Sequence, residues 1–146
     1  MEFITESAAQ TQALAKELME KLSSREHSGA LVVALTGELG AGKTTFVQGL
    51  AEALGLEERV LSPTFVIMKH FDLSASEHFD DFYHVDCYRL TGPEDLGELG
   101  FEKILKNPKN LVVIEWPEIA KTVLPIDTVW LKLEHLGEDK RKIMLD

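Results

Sequence analysis

The sequence predicts an α/β fold, in which helices cover a largely buried sheet. Two apolar runs, Ala30–Thr36 and Leu111–Ile114, have the composition of strands that are buried on both faces. Segments with helical periodicity alternate with these and with other strand-like segments, which is the order expected of an α/β sheet. The 146 residues fit one domain, 1–146, and can bury a core without disulfides.

The first predicted helix runs from Ser7 to about Ser23. Ser7 is a suitable N-cap, and leucine recurs at every fourth position along the segment. The strand Ala30–Thr36 then leads into a helix over Lys43–Leu54, which Gly55 ends.

A further helix is predicted over Pro93–Leu105, because proline suits its first position and acidic residues suit its first turn. Thr128–Glu134 is predicted as a strand with one wetter face, since apolar and polar residues alternate along it apart from Trp130. The other predicted elements are strands at Phe65–Phe71, Phe82–Tyr88, Leu111–Ile114 and Arg141–Leu145, a loop at Asp72–Asp81 and a turn at Asn107–Asn110.

The charge of the chain argues against direct, tight binding to RNA or DNA. Acidic residues outnumber basic ones by 25 to 15, which gives a net charge of -10. Nucleic-acid binders usually present a basic face that displaces counterions from phosphates. Any role near nucleic acid is therefore expected to go through a partner.

The sequence also bears on the compartment. The amino terminus lacks the basic segment and apolar stretch of a secretory signal. The longest apolar runs are far shorter than the roughly 20 residues of a membrane span. Cys87 is the one cysteine, which excludes a disulfide within the chain. We expect a cytoplasmic protein without membrane association.

A glycine-rich segment, Gly37–Thr44, fits the phosphate-loop (P-loop) pattern G-x-x-x-x-G-K-[ST]. Such glycines let successive backbone N–H groups point at phosphate oxygens, while Lys43 reaches the β- and γ-phosphates and the Thr44 hydroxyl binds magnesium. The segment follows a predicted buried strand and opens a helix, whose amino-terminal partial charge favours an anion. We expect it to bind ATP with Mg²⁺; the alternative is a glycine-rich turn that binds nothing. The predicted nucleotide contacts within the loop are Glu38, Leu39, Gly40, Ala41, Gly42, Lys43, Thr44 and Thr45.

Two acidic residues follow strand-like segments. Asp86 ends Phe82–Val85, and Glu115 ends Leu111–Ile114. A P-loop enzyme needs an acid at a strand end to hold the magnesium ion or orient the attacking water. Glu115 has the clearer strand-end pattern, and the alternative for each residue is a solvated acid at a strand terminus.

Other residues near these motifs keep two interpretations. Thr64 lies between the P-loop helix and the next strand, where threonine senses the γ-phosphate in many nucleotide switches. A plain turn in which Pro63 opens the strand fits equally well. His84 suits a core position, and Trp116 suits either the core or an exposed contact.

Four motifs in order resemble the TsaE family, also called YjeE, the small ATPases of bacterial tRNA threonylcarbamoyladenosine synthesis. The motifs are Gly37–Thr45, Ser62–Phe65, His84–Leu90 and Ile114–Glu118. The last two are close to diagnostic, and the four together cover nearly the whole chain. The departures are small: Cys87 stands where a larger apolar residue is common, and Asp72–Asp81 looks slightly longer than usual.

The resemblance implies a P-loop NTPase-like sheet flanked by helices, with additional antiparallel strands and with Thr11 of the first helix beside the adenine. It also implies two partners, TsaD and TsaB. TsaD transfers a threonylcarbamoyl group to tRNA, and ATP hydrolysis by the family is thought to reset that complex between turnovers. The tRNA is then reached only indirectly, through the partner complex.

The family's site residues carry over onto matching positions. Lys43 and the loop amides would hold the phosphates, and Thr44 and Glu115 would hold magnesium. Asp86 would act in catalysis or through water on the metal, and Thr64 would be the switch residue. Lys43, Asp86 and Thr64 thus form the implied catalytic group.

Three other functions stay open. A small P-loop kinase needs several cations around its acceptor, and the four arginines at positions 25, 59, 89 and 141 are few for that purpose. A GTPase is disfavoured because Asn107–Asn110 does not fit the guanine-reading pattern N/T-K-x-D. A nucleotide-dependent regulatory module would differ from the ATPase only in its turnover with partners.

Overall fold

In the computed structural model of the chain, residues 1–56, 67–73 and 76–146 are described. The helices are α1 (Ala8–Ser23), α2 (Lys43–Ala53), α3 (Glu94–Gly97) and α4 (Phe101–Lys106), and a 3₁₀ helix spans Pro117–Ala120. The strands are β1 (Glu2–Thr5), β2 (Leu31–Thr36), β3 (Met68–Asp72), β4 (Asp81–Asp86), β5 (Asn110–Glu115), β6 (Val129–Gly137) and β7 (Lys140–Leu145).

Within the described residues these strands form one seven-stranded sheet, in the order β1-β7-β6-β2-β5-β4-β3. The four central strands β6, β2, β5 and β4 run parallel to one another. Strands β1, β3 and β7 add antiparallel pairs at the two sides. The predicted α/β sheet with additional antiparallel strands is therefore confirmed.

The core lies on both faces of this sheet, because successive side chains of a strand point to opposite faces. Leu31, Val33 and Leu35 of β2 pack in one cluster with residues of α1 and α2. Val32 of the same strand packs in a second cluster with residues of α3 and α4. Strand β5 contributes to both clusters, which explains why its sequence is apolar without alternation.

The amino-terminal elements agree closely with the sequence. Ser7 has extended backbone angles and its hydroxyl accepts a hydrogen bond from the Gln10 amide, as expected of the predicted N-cap. The prediction missed β1, an edge strand whose four residues are too few to show a periodic pattern. This strand pairs with β7 at the end of the chain.

The predicted helix Pro93–Leu105 is wrong as a single element. It divides into α3 and α4, because Gly100 adopts φ 73°, a left-handed conformation that interrupts the helix. The predicted loop Asp72–Asp81 is shorter than expected, since both end residues belong to strands and pair with each other. The predicted start of β3 at Phe65 lies outside the described residues.

The parallel pairing of the central strands determines where a ligand could bind. Because β2, β4 and β5 are parallel, their carboxyl ends lie at one edge, where ligands bind in open α/β sheets. None of the helices in the described part of the chain has the length and apolar character needed to cross a bilayer.

Candidate nucleotide-binding site

The glycine-rich loop connects the end of β2 to the start of α2, as its sequence predicts. Gly37, Gly40 and Gly42 all have positive φ, at 143°, 80° and 99°, a region that favours glycine. A methyl group on Gly37 would lie 2.6 Å from the carbonyl oxygen of Leu133, so glycine is also required for close packing against β6. Leu39 at the tip of the loop is 79% exposed.

Helix α2 begins directly after this loop, at Lys43. Gly42 is its N-cap, and within the described residues no side chain caps it and no acidic residue occupies its first turn. The first N–H groups of a helix lack intrahelical acceptors and carry the positive end of the helix dipole. This end of α2 is therefore suited to bind an anion such as a phosphate group.

Lys43 lies at the mouth of the loop with its charge largely removed from solvent. Its side chain is 6% exposed, and the Nζ group donates a 2.7 Å hydrogen bond to the Gly37 carbonyl oxygen. Burial lowers the pKa of Lys43, while the negative charges of Glu115, Asp86 and Glu118 act in the opposite direction. The ammonium group is thus held in a low-dielectric pocket where interaction with phosphate oxygens is strong.

The two acids predicted at strand ends converge beside this lysine. Asp86 of β4 and Glu115 of β5 are register partners at the carboxyl ends of adjacent parallel strands. Both are buried. Burial raises the pKa of Asp86, and the negative charge of Glu115 contributes in the same direction. The Tyr88 backbone amide, which donates a 2.9 Å hydrogen bond to Asp86 Oδ1, opposes this rise in pKa.

His84 contacts one of these two acids, Glu115. Its Nε2 atom lies 2.6 Å from Oε2 of Glu115, and both side chains are buried. The sequence predicted a core position for His84 and no contact with either acid. Its position two residues before Asp86 was the available signal, because residues two apart on a strand share one face of the sheet.

Trp116 is the other residue whose place only the structure decides. It follows Glu115 in a left-handed conformation, with φ 54°, which is uncommon for a residue with a side chain. This conformation places the indole ring beside two neighbours. The Lys43 ammonium lies 3.8 Å from its centroid, and the Tyr88 ring centroid lies 5.1 Å away. Trp116 is therefore a wall of the site, in contact with the P-loop lysine.

The residues present fit a magnesium ion held together with a nucleotide. Thr44, Glu115 and Asp86 offer hydroxyl and carboxylate oxygens, which are the hard ligands that Mg²⁺ prefers. Among the described residues no group of three or more histidine, cysteine or acidic side chains could by itself hold a metal ion. The donor set suits Mg²⁺, which commonly takes one or two carboxylates and completes its shell with phosphate oxygens and water.

A cavity of about 750 Å³ opens beside the P-loop, a volume within the range of small-molecule sites. Its walls come from the loop, from Trp116 and Glu118 after β5, and from β6. The β6 residues in this wall, Lys132 to His135, were not predicted as part of a site. The sequence of this partly exposed strand does not indicate that it lies next to the P-loop.

Two further predicted residues have different positions. Thr11 is buried, and its hydroxyl lies 2.7 Å from the hydroxyl of Thr5, so this group is already engaged within the protein. The placement of Thr11 beside an adenine stays a prediction. Thr64 and the rest of the motif Ser62–Phe65 lie outside the described residues.

The chain is similar in sequence to known proteins. The family model for threonylcarbamoyl adenosine biosynthesis protein TsaE matches residues 5–143. The chain is 38% identical over 139 residues to the tRNA threonylcarbamoyladenosine biosynthesis protein TsaE of Rickettsia felis, covering 94% of this chain and 75% of that protein. The protein of the same name from Haemophilus influenzae is 32% identical over 130 residues, which cover 89% of this chain and 78% of the relative.

The fold is similar to that of a solved structure. The crystal structure of YdiB from Bacillus subtilis superposes with a TM-score of 0.71 at 27% sequence identity. The match covers 99% of this chain and 83% of the YdiB chain. The sequence and structural relatives therefore span nearly the whole sheet, including the P-loop and both acidic strand ends.

Proposed function

Since the chain belongs to the TsaE family, we propose that it binds and hydrolyses ATP as a component of the tRNA threonylcarbamoyladenosine modification machinery. In this proposal it acts with TsaD and TsaB and sustains their turnover, while the modification of tRNA itself belongs to the partners.

One observation carries the ATPase proposal. The Lys43 ammonium contacts both the Gly37 carbonyl oxygen and the Trp116 ring, at the mouth of a P-loop that leads into α2. Asp86 and Glu115 end the adjacent strands, and both act electrostatically on Lys43. Phosphate-binding donors and carboxylates thus meet at one edge of the sheet, the arrangement that phosphoryl-transfer sites require.

Each residue has a defined task in this proposal. The amides of the loop and of the first turn of α2 bind phosphate oxygens, and Lys43 exchanges its contact with Gly37 for the β- and γ-phosphates. Thr44 and Glu115 hold Mg²⁺, which neutralises charge on the phosphates when it is bound. Asp86 orients the attacking water, and its burial, which raises its pKa, makes it a better proton acceptor than a solvated aspartate.

The charge of the chain supports a division of labour with the partners. With a net charge of -10, this protein gains little from tRNA phosphates by itself. We therefore place its contact with tRNA within the partner complex, in the cytoplasm. Thr64 as a γ-phosphate sensor and Thr11 as an adenine neighbour belong to the same proposal and need their own variants.

The test is ATP hydrolysis by the purified chain alone and with TsaD and TsaB. The expected result is slow hydrolysis alone, a clear increase with both partners, and a preference for ATP over GTP. A nucleotide-dependent regulatory module would bind ATP without a partner-stimulated rate. A kinase would transfer the γ-phosphoryl group to an acceptor instead of releasing phosphate. Either result would overturn the proposed function.

A further inference from the structure

His84 is a fully buried histidine to which the proposed reaction gives no task. Its side chain is 0% exposed, and its ring stacks on Phe82 with the centroids 6.1 Å apart. Its Nε2 atom makes a 2.6 Å hydrogen bond with Oε2 of Glu115, which is a short contact for an N–H···O bond. Burying an imidazole and a carboxylate together costs free energy, unless the pair has a function or its polar atoms have good hydrogen-bond partners.

The sheet fixes the geometry of this contact. Asp86 is the register partner of Glu115. His84 is the partner of Val113, which lies two residues before Glu115 on β5. His84 and Glu115 therefore lie on the same face, with the imidazole on the core side of the carboxylate. From this side the histidine contacts Oε2 of Glu115.

The hydrogen-bond partners indicate which nitrogen carries the proton. Within the described residues, His84 Nδ1 is buried without a hydrogen-bond partner. A proton on Nδ1 would leave a buried donor unsatisfied, which is more costly than an unpaired acceptor next to a satisfied N–H group. The proton is therefore assigned to Nε2, which donates it to Glu115.

We propose that His84 is a positioning residue for Glu115. It holds Oε2 of the carboxylate, so that the remaining oxygen faces the P-loop in one orientation. This inference rests on the proposed function, in which Glu115 is a magnesium ligand. Partners that orient a metal ligand in this way typically change metal affinity or activity by about 10- to 100-fold when they are removed.

A positioning role and a purely structural role make different predictions. If His84 only fills the core, its replacement lowers stability and affects nucleotide binding equally with and without Mg²⁺. If it positions Glu115, its replacement weakens the gain in nucleotide affinity that Mg²⁺ provides and leaves metal-free binding unchanged. The readout is therefore the ratio of two affinities, independent of the hydrolysis rate.

The experiment compares His84→Gln with His84→Phe by calorimetry of a non-hydrolysable ATP analogue, in the presence of Mg²⁺ or of EDTA. Glutamine keeps an N–H donor near the position of Nε2, whereas phenylalanine keeps the ring and loses the donor. His70→Phe is the matched control, because His70 lies on neighbouring β3 and bonds to Asp81 instead. The expected result is a loss of about 10- to 100-fold in the Mg²⁺-dependent gain for His84→Phe, and a smaller loss for His84→Gln.

A double-mutant cycle tests whether His84 acts through Glu115. In a Glu115→Gln background, His84→Phe is expected to have no further effect on the Mg²⁺-dependent gain. Additive effects, or equal losses with Mg²⁺ and with EDTA, would overturn the positioning role. If His84→Phe does not fold, His84→Asn replaces it, because the shorter amide cannot reach Glu115 Oε2.

Wild-type protein separates this inference from the proposed function. Wild type that does not bind the analogue overturns the proposed function. Wild type that binds equally with Mg²⁺ and with EDTA overturns the metal site, and the positioning role with it. Wild type with a clear Mg²⁺-dependent gain that His84→Phe retains overturns the positioning role alone.

Discussion

The Lys43 ammonium lies 3.8 Å from the centroid of the Trp116 ring and donates a 2.7 Å hydrogen bond to the Gly37 carbonyl oxygen. Both contacts replace part of the hydration that the buried ammonium has lost. A phosphate group offers a stronger partner than either, so binding of nucleotide is expected to draw the ammonium away from the indole. The contact thus connects the occupancy of the P-loop to the surroundings of one tryptophan.

Lys43→Ala is expected to abolish the ATP-driven function without unfolding the protein. Burial disfavours the charge of Lys43, so its removal costs the fold little, whereas a charge-assisted bond to phosphate is lost. Such a bond contributes about 1.5 to 3 kcal/mol, or about 10- to 100-fold in nucleotide affinity. The measurements are calorimetric affinity and partner-stimulated hydrolysis, with circular dichroism for folding. Lys21→Ala on the exposed side of α1 is the control, and unchanged hydrolysis by Lys43→Ala would refute the P-loop assignment.

Trp116 is expected to report nucleotide binding by its fluorescence. The chain has two tryptophans, Trp116 and Trp130, and among the described residues the Lys43 ammonium lies over the ring of Trp116. Titration with ATP and Mg²⁺ should change the emission of wild type and of Trp130→Phe, and should leave that of Trp116→Phe nearly constant. A full signal from Trp116→Phe would show that Trp130, and not Trp116, reports nucleotide binding.

Glu115 and Asp86 are expected to differ in their effects on binding and on turnover. Glu115→Ala should weaken Mg²⁺-dependent nucleotide binding, because it removes the proposed metal ligand. Asp86→Ala should leave binding largely intact and lower turnover by about 10²- to 10⁴-fold, the range for loss of a positioned base. Titrations of Mg²⁺ and nucleotide, together with the partner-stimulated rate, measure both effects. The roles are reversed if Asp86→Ala loses the metal-dependent binding and Glu115→Ala keeps it.

Asp86→Asn is expected to stabilise the nucleotide-free protein at neutral pH. Burial raises the pKa of Asp86 above its ordinary value of 3.8, so the ionised carboxylate is less favourable in the folded state than in the unfolded state. Below pH 3.8 the group is protonated in both states and the penalty is absent. The penalty grows as the pH rises from 3.8 to the raised folded-state pKa, and it stays constant above that pKa.

The measurement is urea unfolding of wild type and Asp86→Asn in EDTA, at pH 7 and at pH 3.5. The variant should have the higher midpoint at pH 7 and a smaller advantage in acid. Asparagine keeps the oxygen that accepts the hydrogen bond from the Tyr88 amide, so wild type and variant both retain this bond. An advantage that is larger at pH 3.5 would contradict the assigned sign.

Gly37→Ala is expected to be more destabilising than Gly40→Ala. A methyl on Gly37 would meet the Leu133 carbonyl oxygen at 2.6 Å, so the backbone of the loop or of β6 must move. A methyl on Gly40 meets nothing within 4 Å, and its cost is confined to the left-handed conformation, about 1 to 2 kcal/mol. Thermal unfolding and nucleotide affinity of the two variants test this order. Equal stability of the two would show that β6 does not restrain the loop.

The residues of the P-loop and its helix could be predicted from the sequence, because their chemistry lies within one continuous segment. The spacing of Gly37, Gly42 and Lys43 predicts a loop that opens a helix, and the structure has this loop between β2 and α2. The buried strands β2 and β5 could also be predicted, since a strand covered on both faces has a continuous apolar run. Asp86 and Glu115 were found because each ends such a strand-like segment.

Contacts between segments were decided only by the tertiary structure. His84 and Glu115 are 31 positions apart, and their 2.6 Å contact depends on the parallel pairing of β4 with β5 and on its register. A shift of one residue would turn the imidazole to the opposite face of the sheet. Likewise, Trp116 reaches Lys43 through a left-handed backbone turn that the identity of the residue does not reveal. Local spacing fixes what one segment offers to a ligand, whereas strand register and backbone turns fix which side chains from distant segments meet there.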